Sequence, residues 1–165
     1  MNSTSIKIIT DSSIQTQKVA ELLVKTLSDK KYSPPHIFAL QGNLGAGKTT
    51  FIQGVAKALK IKQKILSPTF VIVKDFALSK NSNFSKFYHI DCYRLNDSSE
   101  IITLGFKEII KNPKNLIFIE WPERIKKLLP SNTVWIKFKI QDKNKREIII
   151  KNSNLGIKIS KCQHS

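Results

Sequence analysis

Gly42-Asn43-Leu44-Gly45-Ala46-Gly47-Lys48-Thr49 has the spacing G-x-x-x-x-G-K-T, which suits the holding of a nucleoside triphosphate. A triphosphate brings several negative charges that must be stripped of water and held. Successive backbone N–H groups curled into a nest do this, and the N-terminus of a following helix adds partial positive charge. Asn43, Leu44, Gly45, Ala46, Gly47 and Thr50 supply that cradle on this reading. Lys48 would reach the β- and γ-phosphates as a point charge, and the Thr49 hydroxyl is a candidate ligand of the Mg²⁺ that bridges them.

A phosphate loop that uses Mg²⁺ needs an acidic partner. Two candidates end apolar runs: Asp91 after Phe87-Tyr88-His89-Ile90, and Glu120 after Leu116-Ile117-Phe118-Ile119. A carboxylate at the end of a strand beside the loop strand can hold the ion or its waters. Ser67-Pro68-Thr69 places hydroxyls where a switch segment could meet the γ-phosphate or the attacking water. Trp121, next to Glu120, is a candidate for packing over the nucleotide. His89 lies two residues before Asp91 and so shares its face in a strand; without metal-site spacing it reads as a packing or hydrogen-bonding residue.

These residues need elements to position them. The apolar run 36–40 reads as a buried strand and Thr49 to Leu59 as a helix, the context the loop requires. Ile6 to Ile9 reads as a first strand. Ser12 with Gln15 resembles a capping box ahead of Val19, Leu22, Leu23 and Leu27 at helical spacing. Ser33-Pro34-Pro35 breaks the chain. Phe70 to Val73 reads as a β-branched strand, Ser79 to Ser85 as a hairpin-like loop, and Phe87 to Asp91 as the next strand. Asp97 with Glu100 opens a helix, and Arg124 to Leu129 forms a short amphipathic one before Pro130. Val134 to Ile140 and Glu147 to Ile150 are closing strands around an Asp142-Lys143-Asn144 turn. The alternation predicts an α/β fold: a single P-loop NTPase-like domain over 1–152, with a mixed, mostly parallel sheet flanked by helices, and a polar tail over 153–165.

Composition narrows the setting. The 165 residues suit one domain, and no apolar run is long enough to span a bilayer. The first residues lack the charged and apolar regions of a secretory signal, and Cys92 and Cys162 make no metal spacing. A reduced, cytoplasmic protein is expected. The formal charge of +16 is nearly all lysine, with arginine only at positions 94, 124 and 146. The lysines are scattered, as in a chain encoded by A- and T-rich DNA, although such a field also favours encounter with ATP and RNA.

The motifs together resemble the TsaE (YjeE) family of small bacterial ATPases. They are the phosphate loop 42–50, Ser67-Pro68-Thr69-Phe70, Tyr88-His89-Ile90-Asp91-Cys92-Tyr93-Arg94-Leu95, Leu104-Gly105 and Ile119-Glu120-Trp121, in family order. The resemblance covers roughly Thr10 to Ile150. It implies a Mg²⁺-dependent ATPase needed for threonylcarbamoyladenosine in tRNA, working with TsaD-like and TsaB-like proteins, with tRNA as a candidate neighbour. It also implies roles: Lys48 and Thr49 for phosphate and Mg²⁺, Glu120 as a Mg²⁺ ligand, Asp91 as the acid of a Walker-B-like strand, and Thr69 as a switch-like residue. Arg146 corresponds to a late-chain arginine near the nucleotide, and Thr10 and Asp11 approach the base. Asn43 stands where the family usually has aspartate, which removes a charge but leaves the backbone nest.

Three other readings compete: a small-molecule P-loop kinase, a GTPase, and a basic RNA-binding module that uses nucleotide as a switch. The kinase reading suffers from the scarcity of arginines for a phosphate-covering lid, and the module reading from the paired acidic strand ends. A GTPase reading would rest on Asn144-Lys145-Arg146-Glu147, which has Glu where a guanine-reading N-K-x-D has Asp. With no cis arginine finger evident, turnover by the isolated chain is expected to be slow.

Overall fold

The computed structural model describes residues 5–27, 36–68, 71–80 and 82–151. The Ser33-Pro34-Pro35 break, Thr69, Phe70, Cys162 and the expected tail lie outside the described residues. The strands are β1 (Ser5–Thr10), β2 (Ile37–Gln41), β3 (Val73–Ala77), β4 (Lys86–Asp91), β5 (Asn115–Glu120), β6 (Val134–Ile140) and β7 (Arg146–Lys151). The helices are α1 (Ser13–Leu27), α2 (Lys48–Ala58), α3 (Ser98–Thr103) and α4 (Phe106–Lys111), with a 3₁₀ segment over Pro122–Leu128.

One seven-stranded sheet runs in the order β1-β7-β6-β2-β5-β4-β3. The pairings β6–β2, β2–β5 and β5–β4 are parallel; β1–β7, β7–β6 and β4–β3 are antiparallel. Only β3 and β7 therefore run against the rest, as the mixed, mostly parallel expectation requires. The carboxyl ends of β1, β2, β4, β5 and β6 share one edge, the edge where open α/β sheets bind ligands. β5 is buried at every position and β2 at every position but its last, because both faces of these central strands are covered.

α1 and α2 pack on one face, over Phe38, Leu40, Phe118, Ile136 and Ile148. Phe38 and Phe118 stack with centroids 4.6 Å apart, and Phe51 of α2 meets Phe138 edge-on at 5.5 Å. Gly54 makes the helix crossing possible: a Cβ there would lie 2.7 Å from the Gln17 Cα. The other face of β2, β5 and β4 is closed by Ile101 of α3, Phe106 of α4 and Ile125 of the 3₁₀ segment. β6 carries Lys137 and Lys139, and β1 carries Lys7, as exposed residues. There Glu147 sits between Lys7 at 2.5 Å and Lys139 at 3.1 Å, and hydrogen bonding to Lys7, then to Lys139, holds its carboxyl below the usual value.

The local signals are mostly realised. Gln15 N–H donates to Ser12 Oγ, and the Gln15 side chain answers at the Asp11 N–H, one residue outside the cap. Asp97 and Glu100 form a full capping box. Two expectations need correcting. Val71 and Ile72 belong to a turn, with both N–H groups donating to Pro68 O, so the strand begins at Val73. The β-branched signal there was overridden by the need to return the chain toward Asp91, whose N–H donates to Ile72 O at 2.9 Å. The expected helix Arg124 to Leu129 is a 3₁₀ segment that starts at Pro122 and kinks at Ile125, where φ is −126°. The helix opened by Asp97 is realised as α3 and stops at Leu104, because Gly105 takes φ 79°, and α4 starts afresh.

Candidate functional site

β2 delivers the chain to Gln41 and α2 departs at Lys48, so the loop between them lies at the shared carboxyl edge. Gly47 is the N-cap of α2 with φ 99°, a left-handed value that favours glycine, and no side chain caps the helix. The N–H groups of Lys48, Thr49 and Thr50 find no carbonyl one turn back within the helix. An uncapped N-terminus of an eleven-residue helix thus faces the loop, with its macrodipole aimed at whatever anion the loop holds. Ala46 N–H donates to Asn43 O at 3.1 Å and closes the turn, leaving Leu44 at its exposed tip.

Lys48 is buried, and its Nζ donates to Gly42 O at 2.6 Å and Asn43 O at 3.0 Å. The ammonium also sits 4.2 Å from the centroid of the Trp121 ring. Burial pushes the Lys48 ammonium below its ordinary value, and the Glu120, Glu123 and Asp91 carboxylates oppose that. Trp121 is itself left-handed, with φ 56°, and its ring lies 5.0 Å from that of Tyr93. A cleft of about 400 Å³ opens beside the loop, lined by Gly42, Asn43, Trp121, Glu123, Lys137 and Lys139 among others.

The two strand-end carboxylates are brought side by side, because Asp91 of β4 and Glu120 of β5 are direct partners in the parallel register. Both are buried. Thr49 Oγ1 donates toward Glu120, with Oε1 at 2.9 Å and Oε2 at 3.1 Å. Glu120 Oε1 also lies 2.9 Å from His89 Nε2. Asp91 has different company: Ser67 Oγ donates to its Oδ2, and the Tyr93 N–H donates to Oδ1 at 2.9 Å. Cys92 between them is buried, and desolvation pushes its thiol up to about 12, which leaves it a core residue without nucleophilic character.

On the other rim, Arg146 Nη2 donates to Gly45 O at 3.2 Å, while Nη1 serves Asp142, Lys143 and Lys145 carbonyls in the turn. Asp11 Oδ1 lies 3.6 Å from Lys145 Nζ, and buried Thr10 shares a hydroxyl hydrogen bond with Thr16 at 2.9 Å. The structure therefore gathers Lys48, Thr49, Asp91 and Glu120 at the loop, and Thr10, Asp11 and Arg146 at its flank; Thr69 lies outside the described residues. Sequence reading missed the Glu120 contact of His89 and the position of Trp121 over Lys48. Sharing a face with Asp91 was the available signal for His89; the β4–β5 register was not.

Among the described residues no three His, Cys, Asp or Glu side chains cluster as a metal site. The Thr49 and Glu120 oxygens are hard donors, few in number, and fit Mg²⁺, which is usually held by one or two protein ligands together with phosphates and waters. The uncapped α2 terminus fits the phosphates themselves.

Residues 10–148 match the family model described as threonylcarbamoyl adenosine biosynthesis protein TsaE. A protein of Rickettsia felis named tRNA threonylcarbamoyladenosine biosynthesis protein TsaE is 40% identical over 149 residues, covering 89% of this chain and 81% of that one. The Bacillus subtilis protein of the same name is 37% identical over 115 residues, covering 70% and 68%. The crystal structure of Bacillus subtilis YdiB superposes with a TM-score of 0.70 at 28% identity, covering 92% of this chain and 87% of that one.

Proposed function

Because the chain belongs to the TsaE family of threonylcarbamoyladenosine biosynthesis proteins, we propose that it binds ATP with Mg²⁺ and hydrolyses it in support of that tRNA modification. The observation that carries this reading is the hydrogen bond from Thr49, the residue after the loop lysine, to the strand-end carboxylate of Glu120. Two hard oxygens thereby converge beside an uncapped helix N-terminus.

Each side chain then has a task that follows from its place. The α2 N-terminus and the loop N–H groups bind the phosphates. Lys48 exchanges its grip on Gly42 O and Asn43 O for phosphate oxygens, and in doing so leaves the Trp121 ring. Thr49 and Glu120 would hold Mg²⁺, which when bound would offset the negative charge of the phosphates. Asp91 stands one strand over, positioned by Ser67 and Tyr93 to order water near the γ-phosphate end. Thr69 continues that segment as a switch-like residue. Arg146 and Asp11 border the nucleoside end, and the backbone of Asn43, Leu44, Gly45, Ala46, Gly47 and Thr50 completes the cradle.

Arg146 is committed to the Gly45 carbonyl and to the turn. The site is completed by partners of the TsaB and TsaD type, in the cytoplasm and close to tRNA, and hydrolysis drives turnover of that assembly. Among the described residues no helix is long and apolar enough to cross a membrane. The test is ATP turnover measured alone and with a TsaB–TsaD pair, with and without Mg²⁺. Slow turnover alone, stimulated by the pair and dependent on Mg²⁺, is expected. Fast turnover by the isolated chain, or none under any combination, would refute the proposal.

A further inference from the structure

We propose that His89 is a positioning residue for the Glu120 carboxylate, holding Oε1 so that Oε2 is left for the Mg²⁺ position beside Thr49. The inference rests on the reading of Glu120 as a Mg²⁺ ligand and deepens it.

His89 is fully buried, at 0% exposure, on β4. Strand alternation puts it on the α2 face with Phe87 and Asp91, beside Phe118 in the parallel register and one pleat short of Glu120. Its Nε2 lies 2.9 Å from Glu120 Oε1. Its Nδ1, also buried, has no hydrogen-bond partner among the described residues. The Glu120 side assigns the proton. A carboxylate that receives the Thr49 hydroxyl accepts, so the ring nitrogen that faces it donates. Hydrogen on Nε2 meets that condition, and the tautomer with hydrogen on Nδ1 alone does not.

Glu120 needs such a brace. Its side chain has three rotatable bonds, and the Thr49 hydroxyl lies within reach of both its oxygens, at 2.9 and 3.1 Å, so Thr49 alone does not select one. A donor fixed by the sheet pins Oε1 and leaves the second oxygen for the ion. Partners of this kind around metal sites change metal affinity by about 10- to 100-fold when removed.

The experiment measures Mg²⁺ affinity by titration calorimetry on the full chain saturated with ATP, and ATP affinity without Mg²⁺. His89→Phe, which fills the space without a donor, is expected to weaken Mg²⁺ binding by about 10- to 100-fold while leaving Mg²⁺-free ATP affinity unchanged. His89→Gln places an N–H donor at similar reach and should restore most of the loss. In the wild-type protein, ¹⁵N shifts of the His89 ring should show hydrogen on Nε2. Unaltered Mg²⁺ affinity in His89→Phe, a Gln variant no better than Phe, or hydrogen on Nδ1 alone would each overturn the inference. Should the Phe variant not fold, the Gln variant and the ring shifts still decide: Gln as impaired as Glu120→Ala counts against it. If Glu120→Ala itself binds Mg²⁺ like the wild type, the function proposed above falls too. If Glu120→Ala fails and His89→Phe does not, only the role of His89 falls.

Discussion

Asp91 and Glu120 are neighbours in register, both buried, both at the carboxyl end of a central strand, yet they are held by different kinds of structure. Glu120 is gripped by Thr49 from the first turn of α2 and lies against His89 from within β4. Asp91 is gripped by Ser67 and by the Tyr93 N–H, both from connecting segments, and its own N–H reaches Ile72, a β-branched residue at φ 63°. A β-branched residue in the left-handed region is strained, and such strain persists only where surroundings enforce it. One carboxylate is thus built into the frame and the other is wired to loops. The difference suggests a division of labour: Glu120 suits a fixed ligand, and Asp91 suits a group whose environment changes with the segment around Ser67.

Glu120→Ala should break the frame side of this comparison and give the largest effect. Mg²⁺-dependent turnover in the presence of partners is expected to fall by about 10²-fold, while Mg²⁺-free ATP binding persists. Steady-state kinetics with a parallel binding isotherm would check it; equal losses of binding and turnover would show that Glu120 only supports the fold. Lys48→Ala probes the loop they both face. Its loss removes charge-assisted contacts to phosphate, and ATP affinity should weaken by about 10- to 100-fold. Ser67→Ala tests the loop side. Removing one hydrogen bond to a charged group should slow turnover by roughly tenfold, with Mg²⁺ affinity unchanged. A shift in Mg²⁺ affinity as large as that of Glu120→Ala would dissolve the distinction between the two carboxylates.

The sequence made the frame side legible and the loop side only partly so. Both Asp91 and Glu120 could be found because each ends an apolar run, and β5 reads as buried on both faces from Leu116-Ile117-Phe118-Ile119 alone. Nothing in the spacing says that the two strands are adjacent, since strand order is a tertiary property. The Val71–Ile72 turn escaped because β-branched residues favour strands, and here two hydrogen bonds to Pro68 O and one from Asp91 N–H outweigh that preference. Asp97 with Glu100 announced the start of α3 but nothing in the pattern gave its end, which comes where Gly105 takes φ 79°. Trp121 over Lys48 depends on a left-handed backbone at a non-glycine position, for which sequence offers no signal.

Asp97 provides a third carboxylate, remote in role from the first two, and the smallest expected effect. Its partner is the Ser99 backbone N–H, at 2.6 Å, as cap of α3 on the exposed surface. That hydrogen bond holds the Asp97 carboxyl below its ordinary value of 3.8. A carboxyl depressed in the folded state stabilises the fold at pH values above its unfolded value, and the contribution is lost as pH falls through the folded value. The thermal midpoint of Asp97→Ala should therefore lie a few degrees under that of the wild type near neutrality. The gap should narrow only below the ordinary carboxylate range, and ATP turnover at neutral pH should not change. A loss of turnover in Asp97→Ala would mean that α3 is coupled to the β4–β5 edge through Leu95 and Tyr93, and the loop side of the comparison would extend that far.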